Sequence, residues 1–150
     1  MSLPFFYEPQ IQEQQSTYLL SAETHKHAIQ VLRMKAGDAL HLTNGHGLLV
    51  RAIITLAGKK ESTVHIEALQ MLPPPERKLQ LGISLLKNAS RFEWMLEKVT
   101  ELGVQSIVPL LCQRTEKQHF RHDRMQQIVI SAMLQSEQVW LPELHLPTAY

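Results

Sequence analysis

The chain has 150 residues, of which 44% are hydrophobic and 19% are charged, and its 15 Lys and Arg residues nearly balance its 14 Asp and Glu residues. This composition is typical of a globular chain with a substantial core, and the net charge of +1 does not by itself indicate a polyanionic partner. A single cysteine, Cys112, excludes an internal disulfide framework and favours a cytoplasmic protein, and no apolar run approaches the roughly 18 residues that a membrane helix needs.

The first half of the chain predicts a small β-rich domain with one helix. The segment LSAETHKHAIQVLRM is typical of a short helix that has Ser21 as its N-cap and buries Ile29 and Leu32. From Ala39 onward, apolar and polar residues alternate in two runs separated by the turn residues NGHG, which predicts a β-hairpin. A further alternating run over residues 64–68 predicts another strand. The short connections favour an antiparallel sheet or a small barrel.

Three consecutive prolines, Pro73 to Pro75, separate two parts of the chain with different patterns. Proline continues neither a helix nor a central strand, and three in a row form a stiff, extended spacer. The sequence therefore predicts two domains, residues 1–72 and 78–150, joined by a proline-rich linker at residues 73–77.

The second half predicts a strand followed by a helix. Alternating leucine and isoleucine residues predict a strand over residues 79–85, and the segment RFEWMLEKVTELGV predicts the helix. Ser90 and Glu93 have the spacing of a capping box, which predicts that the helix begins at Ser90, and Gly103 is well placed to end it. The apolar face of this helix is predicted to be buried: Phe92, Met95, Leu96, Val99 and Leu102.

A second strand is predicted in SIVPLLC, residues 106–112, and it completes a βαβ unit with parallel strands and a right-handed crossover. Beyond a polar loop, another amphipathic helix is predicted from one face: Met125, Ile128, Val129, Ala132, Met133 and Ser136. Pro142 and Pro147 then predict an extended tail. The fold class expected for the whole chain is α+β with two domains.

Four segments, HAIQVLRMKAGD, RFEWMLEKVTELGV, SIVPLLCQRT and SAMLQSEQVWLPEL, resemble in order and spacing the RsmE family of small-subunit ribosomal RNA methyltransferases. The second segment is the most specific, because an amphipathic helix alone does not require that order of Arg, Trp, Glu and Lys. The resemblance implies a PUA-like β-barrel domain that docks ribosomal RNA, followed by the first half of an α/β-knot (SPOUT) methyltransferase domain. The stretch LQSEQ, residues 134–138, departs from the EQSGR that the resemblance leads us to expect.

The resemblance also implies a function. It implies a homodimeric enzyme that uses S-adenosylmethionine to methylate N3 of a uridine in 16S ribosomal RNA. The family's glycine-rich cofactor motifs are expected beyond Tyr150, so we expect no cofactor-binding residue in this chain and no methyl transfer by the chain alone. The alternative is a binding module, in which the PUA-like domain holds RNA without catalysing a reaction.

Three candidate RNA-binding residues lie in the second half. Arg114 and Thr115 follow the second predicted strand, at the edge where α/β sheets place their ligands. At this position Arg114 would contact a phosphate or the uracil carbonyls, where a guanidinium would stabilise developing negative charge, and a solvated loop arginine is the alternative interpretation. Arg91 flanks the strand-to-helix turn, and a surface ion pair of little energetic value is the alternative interpretation.

Two further candidates, Arg33 and Lys35, lie in the first half near His25, Lys26 and His27. Together these side chains would form a basic patch that binds phosphates. An exposed basic helix end is an equally good interpretation, because cations also favour helix C-termini.

No catalytic base and no metal site is identifiable. Glu93 and Glu97 are one helical turn apart on a polar face, which is typical of a solvated surface. His119, His122 and Asp123 are close in sequence but lack a fourth ligand. Cys112 is most simply a buried small apolar residue, and Trp94, off the centre of the apolar stripe, is a candidate for a dimer or domain contact.

Overall fold

A five-stranded sheet organises the N-terminal unit, residues 1–74, in the computed structural model, which describes residues 2–115 and 119–150. Its strands are β1 (Phe5–Tyr7), β2 (Thr17–Leu19), β3 (Ala39–Thr43), β4 (Leu48–Ala57) and β5 (Ser62–Met71). Their order in the sheet is β1-β3-β4-β5-β2. Every neighbouring pair is antiparallel except β1 and β3, which are parallel.

The predicted hairpin is formed by β3 and β4. Leu40 lies opposite Ala52 and Leu42 lies opposite Val50, and all four side chains are fully buried. The residues between them point to the other face, where Arg51 is exposed. The alternation seen in the sequence therefore sets the register, because a shift by one residue would move this apolar set to the opposite face.

The predicted helix begins where expected but changes geometry after one turn. The Ser21 side chain accepts a hydrogen bond from the Thr24 backbone N–H at 3.3 Å and caps helix α1 (Ala22–His25), which continues as a π-helix over Lys26–Val31. The prediction that Leu32 is buried is wrong, because its side chain is 47% exposed. A π-turn has i→i+5 hydrogen bonds, so residues beyond it leave the face that a 3.6-residue period predicts.

Glu8 connects the two short strands that the sequence pattern did not reveal. Its buried carboxylate accepts hydrogen bonds from the Tyr18 hydroxyl at 3.2 Å and from the Ser21 backbone N–H at 2.9 Å. Its backbone N–H donates to the Thr43 carbonyl at 2.8 Å. Burial, together with the negative charge of Glu8, raises the pKa of Tyr18 to about 12. Through its carboxylate and its backbone N–H, Glu8 thus joins the ends of β1, β2 and β3 to the start of α1.

The C-terminal unit, residues 75–150, is built on a parallel sheet. Its elements are β6 (Gln80–Ser84), α2 (Ala89–Glu101), β7 (Ser106–Leu111), α3 (His122–Gln135), β8 (Glu143–Leu144) and β9 (Thr148–Ala149). The predicted βαβ unit is confirmed, since β6 and β7 are parallel and neighbouring. The predicted extended tail contains two short strands, both parallel to β7, with β8 beside its start and β9 beside its end.

Helix α2 begins earlier than predicted. Asn88 is its N-cap, and the Asn88 side chain accepts from the Ser90 N–H at 2.9 Å and the Arg91 N–H at 3.4 Å. The predicted capping box is therefore wrong: Ser90 already lies within the helix, and the carboxylate of Glu93 instead contacts Arg124 Nε at 2.7 Å. An asparagine two residues upstream caps the helix equally well, so Ser90 is not needed as a cap.

Both long helices end in the same backbone motif. At the end of α2, the Gly103 N–H donates to the Thr100 carbonyl and the Val104 N–H to the Val99 carbonyl, with Gly103 at φ +91°. This is the Schellman arrangement that the glycine predicted. It places Leu102 at the C-cap with 82% of its side chain exposed, so the prediction that Leu102 is buried is wrong.

At the end of α3 the same motif uses Glu137, which has a φ of +56°. The side-chain amide of the next residue, Gln138, donates through Nε2 to the Thr100 and Glu101 carbonyls of α2 at 2.9 and 3.2 Å. Gln138 therefore joins the C-terminal ends of α2 and α3.

The buried faces of the two helices form the core with the sheet, and their fully or nearly fully buried side chains include Phe92, Leu96, Met125, Val129 and Met133. Within the described part of the chain, no helix is long and apolar enough to cross a membrane.

Candidate functional site

The carboxyl ends of β6 and β7 meet at one edge of the parallel sheet. Thr115 lies in the turn after β7, where its Oγ1 accepts from the Cys112 N–H at 2.8 Å and lies 3.0 Å from Ser84 Oγ at the end of β6. The Thr115 N–H also donates to the Cys112 carbonyl at 3.0 Å. Thr115 therefore fixes the turn to the neighbouring strand. Cys112 follows β7 and is half-buried, so the expected full burial of its side chain is not observed.

Arg114 occupies the same turn with an exposed side chain. Within residues 2–115 and 119–150 it makes no ion pair, and the neighbouring Thr115 holds the backbone that carries it. Arg91 is exposed in the first turn of α2, after the loop that follows β6. Because β6 and β7 are parallel neighbours, the structure brings the first turn of α2, with Arg91, and the turn with Arg114 to one edge of the sheet, where α/β proteins bind ligands.

In the N-terminal unit, Arg33 and Lys35 lie in an exposed turn directly after the π-helix. Arg33 has a φ of +55°, in the left-handed region that is uncommon for residues other than glycine. The Lys35 N–H donates to Asp38 Oδ2 at 2.8 Å, which closes the turn. π-Helices and strained backbone conformations are both enriched at functional sites, so this turn stays a candidate.

Sequence reasoning missed a second pair of basic residues in the same unit, and both of these are lysines. Lys59 and Lys60 lie in the β4–β5 turn, and the buried ring of His25 contacts this turn through Nε2, 3.2 Å from the Lys59 carbonyl. The other ring nitrogen, Nδ1, is 2.9 Å from the hydroxyl of Ser62. A carbonyl only accepts hydrogen bonds, so Nε2 carries the proton. Two consecutive lysines were visible in the sequence, but the contact of their turn with His25 joins residues 34 positions apart, which the local pattern does not reveal.

The remaining candidates have structural partners. Phe92 is 2% exposed, which confirms its predicted place in the core. Trp94 is 63% exposed, and Lys98 Nζ lies 5.9 Å from its ring centroid. His122 Nε2 lies 2.7 Å from the Leu144 carbonyl. Among the residues that the structure describes, no three His, Cys, Asp or Glu side chains are grouped to hold a metal ion.

Two cavities in the C-terminal unit have volumes of about 180 and 290 Å³. Pockets for drug-sized ligands usually have volumes of about 300–1,000 Å³. S-adenosylmethionine, the cofactor that the sequence resemblance implies, belongs to that size class. Both volumes lie below or at the lower end of that range, so neither cavity is a close match to the whole cofactor.

Two protein-family models match the chain. An RNA methyltransferase domain matches residues 73–150, and an RNA methyltransferase PUA domain matches residues 20–67. The chain is 34% identical over 136 residues to the ribosomal RNA small subunit methyltransferase E of Synechocystis sp., which covers 88% of this chain and 43% of that protein. It is 28% identical over 124 residues to the protein of the same name from Rickettsia conorii, which covers 82% of this chain and 50% of that protein. The chain thus spans about half the length of these relatives.

Solved structures show the same likeness. A probable rRNA-methyltransferase from Porphyromonas gingivalis matches with a TM-score of 0.85 and 35% identity over 98% of this chain and 61% of that one. A ribosomal RNA small subunit methyltransferase E from Neisseria gonorrhoeae, bound to S-adenosyl methionine, matches with a TM-score of 0.87 and 26% identity over 99% of this chain and 63% of that one. These likenesses confirm the predicted fold class, a PUA-like domain followed by a methyltransferase domain.

Proposed function

The chain belongs to the RNA methyltransferase family, and we propose that it is the RNA-docking unit and the first half of the catalytic unit of an RsmE-type enzyme. The proposed reaction transfers a methyl group from S-adenosylmethionine to small-subunit 16S ribosomal RNA, in the cytoplasm. The observation that carries the proposal is the methyltransferase-domain match over residues 73–150, more than half of the chain. The S-adenosyl methionine in the Neisseria gonorrhoeae structure supports the choice of cofactor.

We propose N3 of a uridine as the methylated atom. Negative charge develops on the uracil ring as the N3 proton leaves, and a guanidinium close to the ring carbonyls stabilises that charge. Arg114, Thr115 and Arg91, at one edge of the parallel sheet, are the proposed RNA-binding residues of the C-terminal unit. The Thr115 hydroxyl bonds to the turn and to Ser84, so Thr115 also holds the turn that carries Arg114. The cofactor supplies the methyl group when it is bound.

In the N-terminal unit, the proposed RNA contacts are Arg33 and Lys35. Both side chains are exposed, and the π-helix and the left-handed φ of Arg33 support a functional role for the turn that carries them. Such contacts would bind phosphates and would position the RNA without reading its sequence. Each phosphate contact should make binding more dependent on salt concentration.

We further propose that the 150 residues alone do not transfer methyl groups and that the complete enzyme is a homodimer. The coverage of only 43% and 50% of the length of two curated relatives supports the first part. The second part rests on the family resemblance and is tested by the molar mass in solution, measured by light scattering. The competing proposal is a binding module without catalysis, for which the PUA-domain match over residues 20–67 is the supporting observation.

The test is methyl incorporation from labelled S-adenosylmethionine into small ribosomal subunits that lack the modification. The 150-residue chain is compared with a protein extended to the full length of its relatives, and the product is located by nucleoside mass spectrometry. We expect N3-methyluridine only with the extended protein, and an Arg114→Ala substitution should lower kcat/KM by about 10²-fold if its guanidinium stabilises the transition state. RNA binding without incorporation by either protein would favour the binding module, and incorporation by the 150-residue chain would contradict its proposed inactivity.

A further inference from the structure

A cavity of about 180 Å³ lies between the start of α2 and the start of α3, and nothing in the proposed reaction assigns it a role. Its wall is mainly apolar, with contributions from Leu85, Leu86, Phe92, Phe120 and Met125. Three of these side chains, Leu85, Phe92 and Met125, are buried core residues, so the floor is held in place by the packing of the C-terminal unit. The cavity is therefore a formed concavity with a rigid apolar floor.

The size of the cavity favours an occupant with one ring. A protein cavity of about 150 Å³ lined by apolar side chains encloses a benzene molecule. The present cavity is slightly larger, so it suits a six-membered ring with its carbonyl oxygens better than the larger, two-ring base of a purine. Phe92 and Phe120 meet edge to face, with centroids 6.0 Å apart at 86°, and the half-buried Phe120 ring offers an aromatic surface for a planar ligand.

Arginine side chains border this apolar space. Arg124 lines the cavity, and its Nε donates to Glu93 Oε1 at 2.7 Å. The Glu93 side chain is only 17% exposed, so this ion pair fixes the direction of the guanidinium, which has four further N–H donors. Arg121 also lines the cavity, is exposed, and forms no ion pair within residues 2–115 and 119–150. An apolar floor beside two guanidiniums matches a nucleotide, with its flat base and its phosphate.

We propose that this cavity binds the single-ring base of an unstacked pyrimidine nucleotide of the RNA substrate, with its phosphate at Arg121 and Arg124. This inference rests on the proposed function and names a nucleotide subsite for it. Enzymes that modify a base commonly take a nucleotide out of the stack into a fitted pocket, and single-stranded RNA is commonly bound by aromatic and guanidinium surfaces. The loop between β6 and α2 contributes Leu85 and Leu86 to the cavity and lies at the same edge of the sheet as the Arg114 turn.

The test is a methyl NMR titration of the whole 150-residue chain with uridine 5′-monophosphate. The reporters are the methyl groups of Leu85, Leu86 and Met125, which line the cavity. We expect them to shift and saturate with uridine 5′-monophosphate, and adenosine 5′-monophosphate to bind several-fold more weakly because its larger, two-ring base fits the pocket less closely. Inorganic phosphate alone should leave these methyl groups unshifted.

Substitutions locate the binding to this cavity. Ala89→Phe, at the first residue of α2 and on the cavity wall, should fill the apolar space and weaken binding at least about tenfold, and the smaller Ala89→Leu serves if the first variant unfolds. Arg121→Gln should weaken the binding of uridine 5′-monophosphate several-fold and leave that of uridine unchanged. The matched control is Arg77→Gln, an exposed arginine that precedes β6, at the end of that strand opposite the cavity. Thermal unfolding checks that each variant is folded.

Failure of the subsite is distinguishable from failure of the proposed function. Absence of shifts in the unsubstituted chain, equal binding of the two nucleotides, or unchanged binding in both folded Ala89 variants would each overturn the pyrimidine subsite. In the extended protein, Ala89→Phe should raise KM for the ribosomal subunit or abolish methyl incorporation. Unchanged kcat/KM in that variant would overturn the subsite while the methyltransferase function stands. If the extended protein transfers no methyl group but binds the pyrimidine nucleotide in a way that responds to the substitutions, the subsite would stand and the proposed function would be overturned.

Discussion

Both units of the chain have an apolar core, but they differ in the polar side chains that they bury. Among the described residues, the N-terminal unit buries five polar side chains: Glu8, Thr24, His25, Thr43 and Ser62. The C-terminal unit buries only one, Thr100, and depends on the apolar faces of two helices against a parallel sheet. Polar groups in the first unit fix short strands and turns, whereas apolar packing in the second positions the loops at one sheet edge. A substitution in one unit should therefore lower the stability of that unit and leave the stability of the other unchanged.

The largest effect is expected from Phe92→Ala. This side chain is buried in the C-terminal core, and truncation of a buried phenylalanine costs about 3–5 kcal/mol because it removes apolar contacts and leaves a cavity. Hydrogen exchange measured by mass spectrometry should show faster exchange in residues 75–150 and unchanged protection in residues 1–74. The control is Trp94→Ala in the same helix, which should change stability by less than about 0.5 kcal/mol because the side chain is mostly exposed. Equal destabilisation of both units would contradict the comparison.

The next effect concerns the polar network of the N-terminal unit. Glu8→Ala removes the buried acceptor for the Ser21 N–H and the Tyr18 hydroxyl, and loss of a hydrogen bond to a charged group costs about 1.5–3 kcal/mol. Urea unfolding should show this loss in the N-terminal unit. Glu67→Ala is the matched control, because that carboxylate forms an exposed ion pair with Arg51 and should contribute at most about 1 kcal/mol. A larger loss from the exposed glutamate would refute the role of the buried one.

A pH-dependent effect follows from Tyr18. Burial and then the charge of Glu8 raise its pKa to about 12 from the usual 10.0, so the folded state favours the neutral phenol. The unfolded chain loses this proton more easily, and the contribution to stability is complete below pH 10 and lost as the pH rises toward 12. Chemical unfolding at a series of pH values should show this loss, and Tyr18→Phe should reduce its slope. An unchanged slope in the variant would assign the loss to other groups.

The smallest effect is a gain. Glu137 has a φ of +56° at the end of α3, and a residue other than glycine costs about 1–2 kcal/mol in that conformation. Glu137→Gly, which also restores the glycine expected from the family resemblance, should stabilise the C-terminal unit by about 1 kcal/mol in thermal unfolding. Gln135→Gly, in the last turn of the same helix, should destabilise it by up to about 1 kcal/mol. Equal effects of the two substitutions would exclude the left-handed backbone as the cause.

The sequence predicted elements whose apolar pattern repeats. The β3–β4 hairpin and the β6–α2–β7 unit are long enough for a period of two or 3.6 residues to be recognised. Strands of two or three residues, such as β1 and β9, contain no repeat and form only because a longer strand already offers a pairing edge. The cap of α2 was misassigned because Asn88 and Ser90 are both good caps, and local sequence does not decide between them.

Parts of the candidate sites depend on contacts between residues distant in sequence. Arg114 and Thr115 were recognised because they follow a predicted strand, but the contact of Thr115 with Ser84 spans 31 residues. The lysine turn held by His25 is a similar case, as is the cavity, whose walls come from two separate segments. The RNA-binding roles of Arg33, Lys35, Arg91, Arg114 and Thr115 stay predictions.

The π-helix after α1 has a consequence for how the N-terminal unit presents its charge. A π-turn contains one residue more than an α-turn, so Lys26–Val31 behaves like an α-helix with a single-residue insertion. Removal of one residue there would let the helix close with ordinary hydrogen bonds and would rotate the following chain by about 100°. Arg33 and Lys35 would keep their charges but face another direction. The extra residue of the π-turn thus sets the direction in which the side chains of Arg33 and Lys35 point, and not the number of charges that the turn carries.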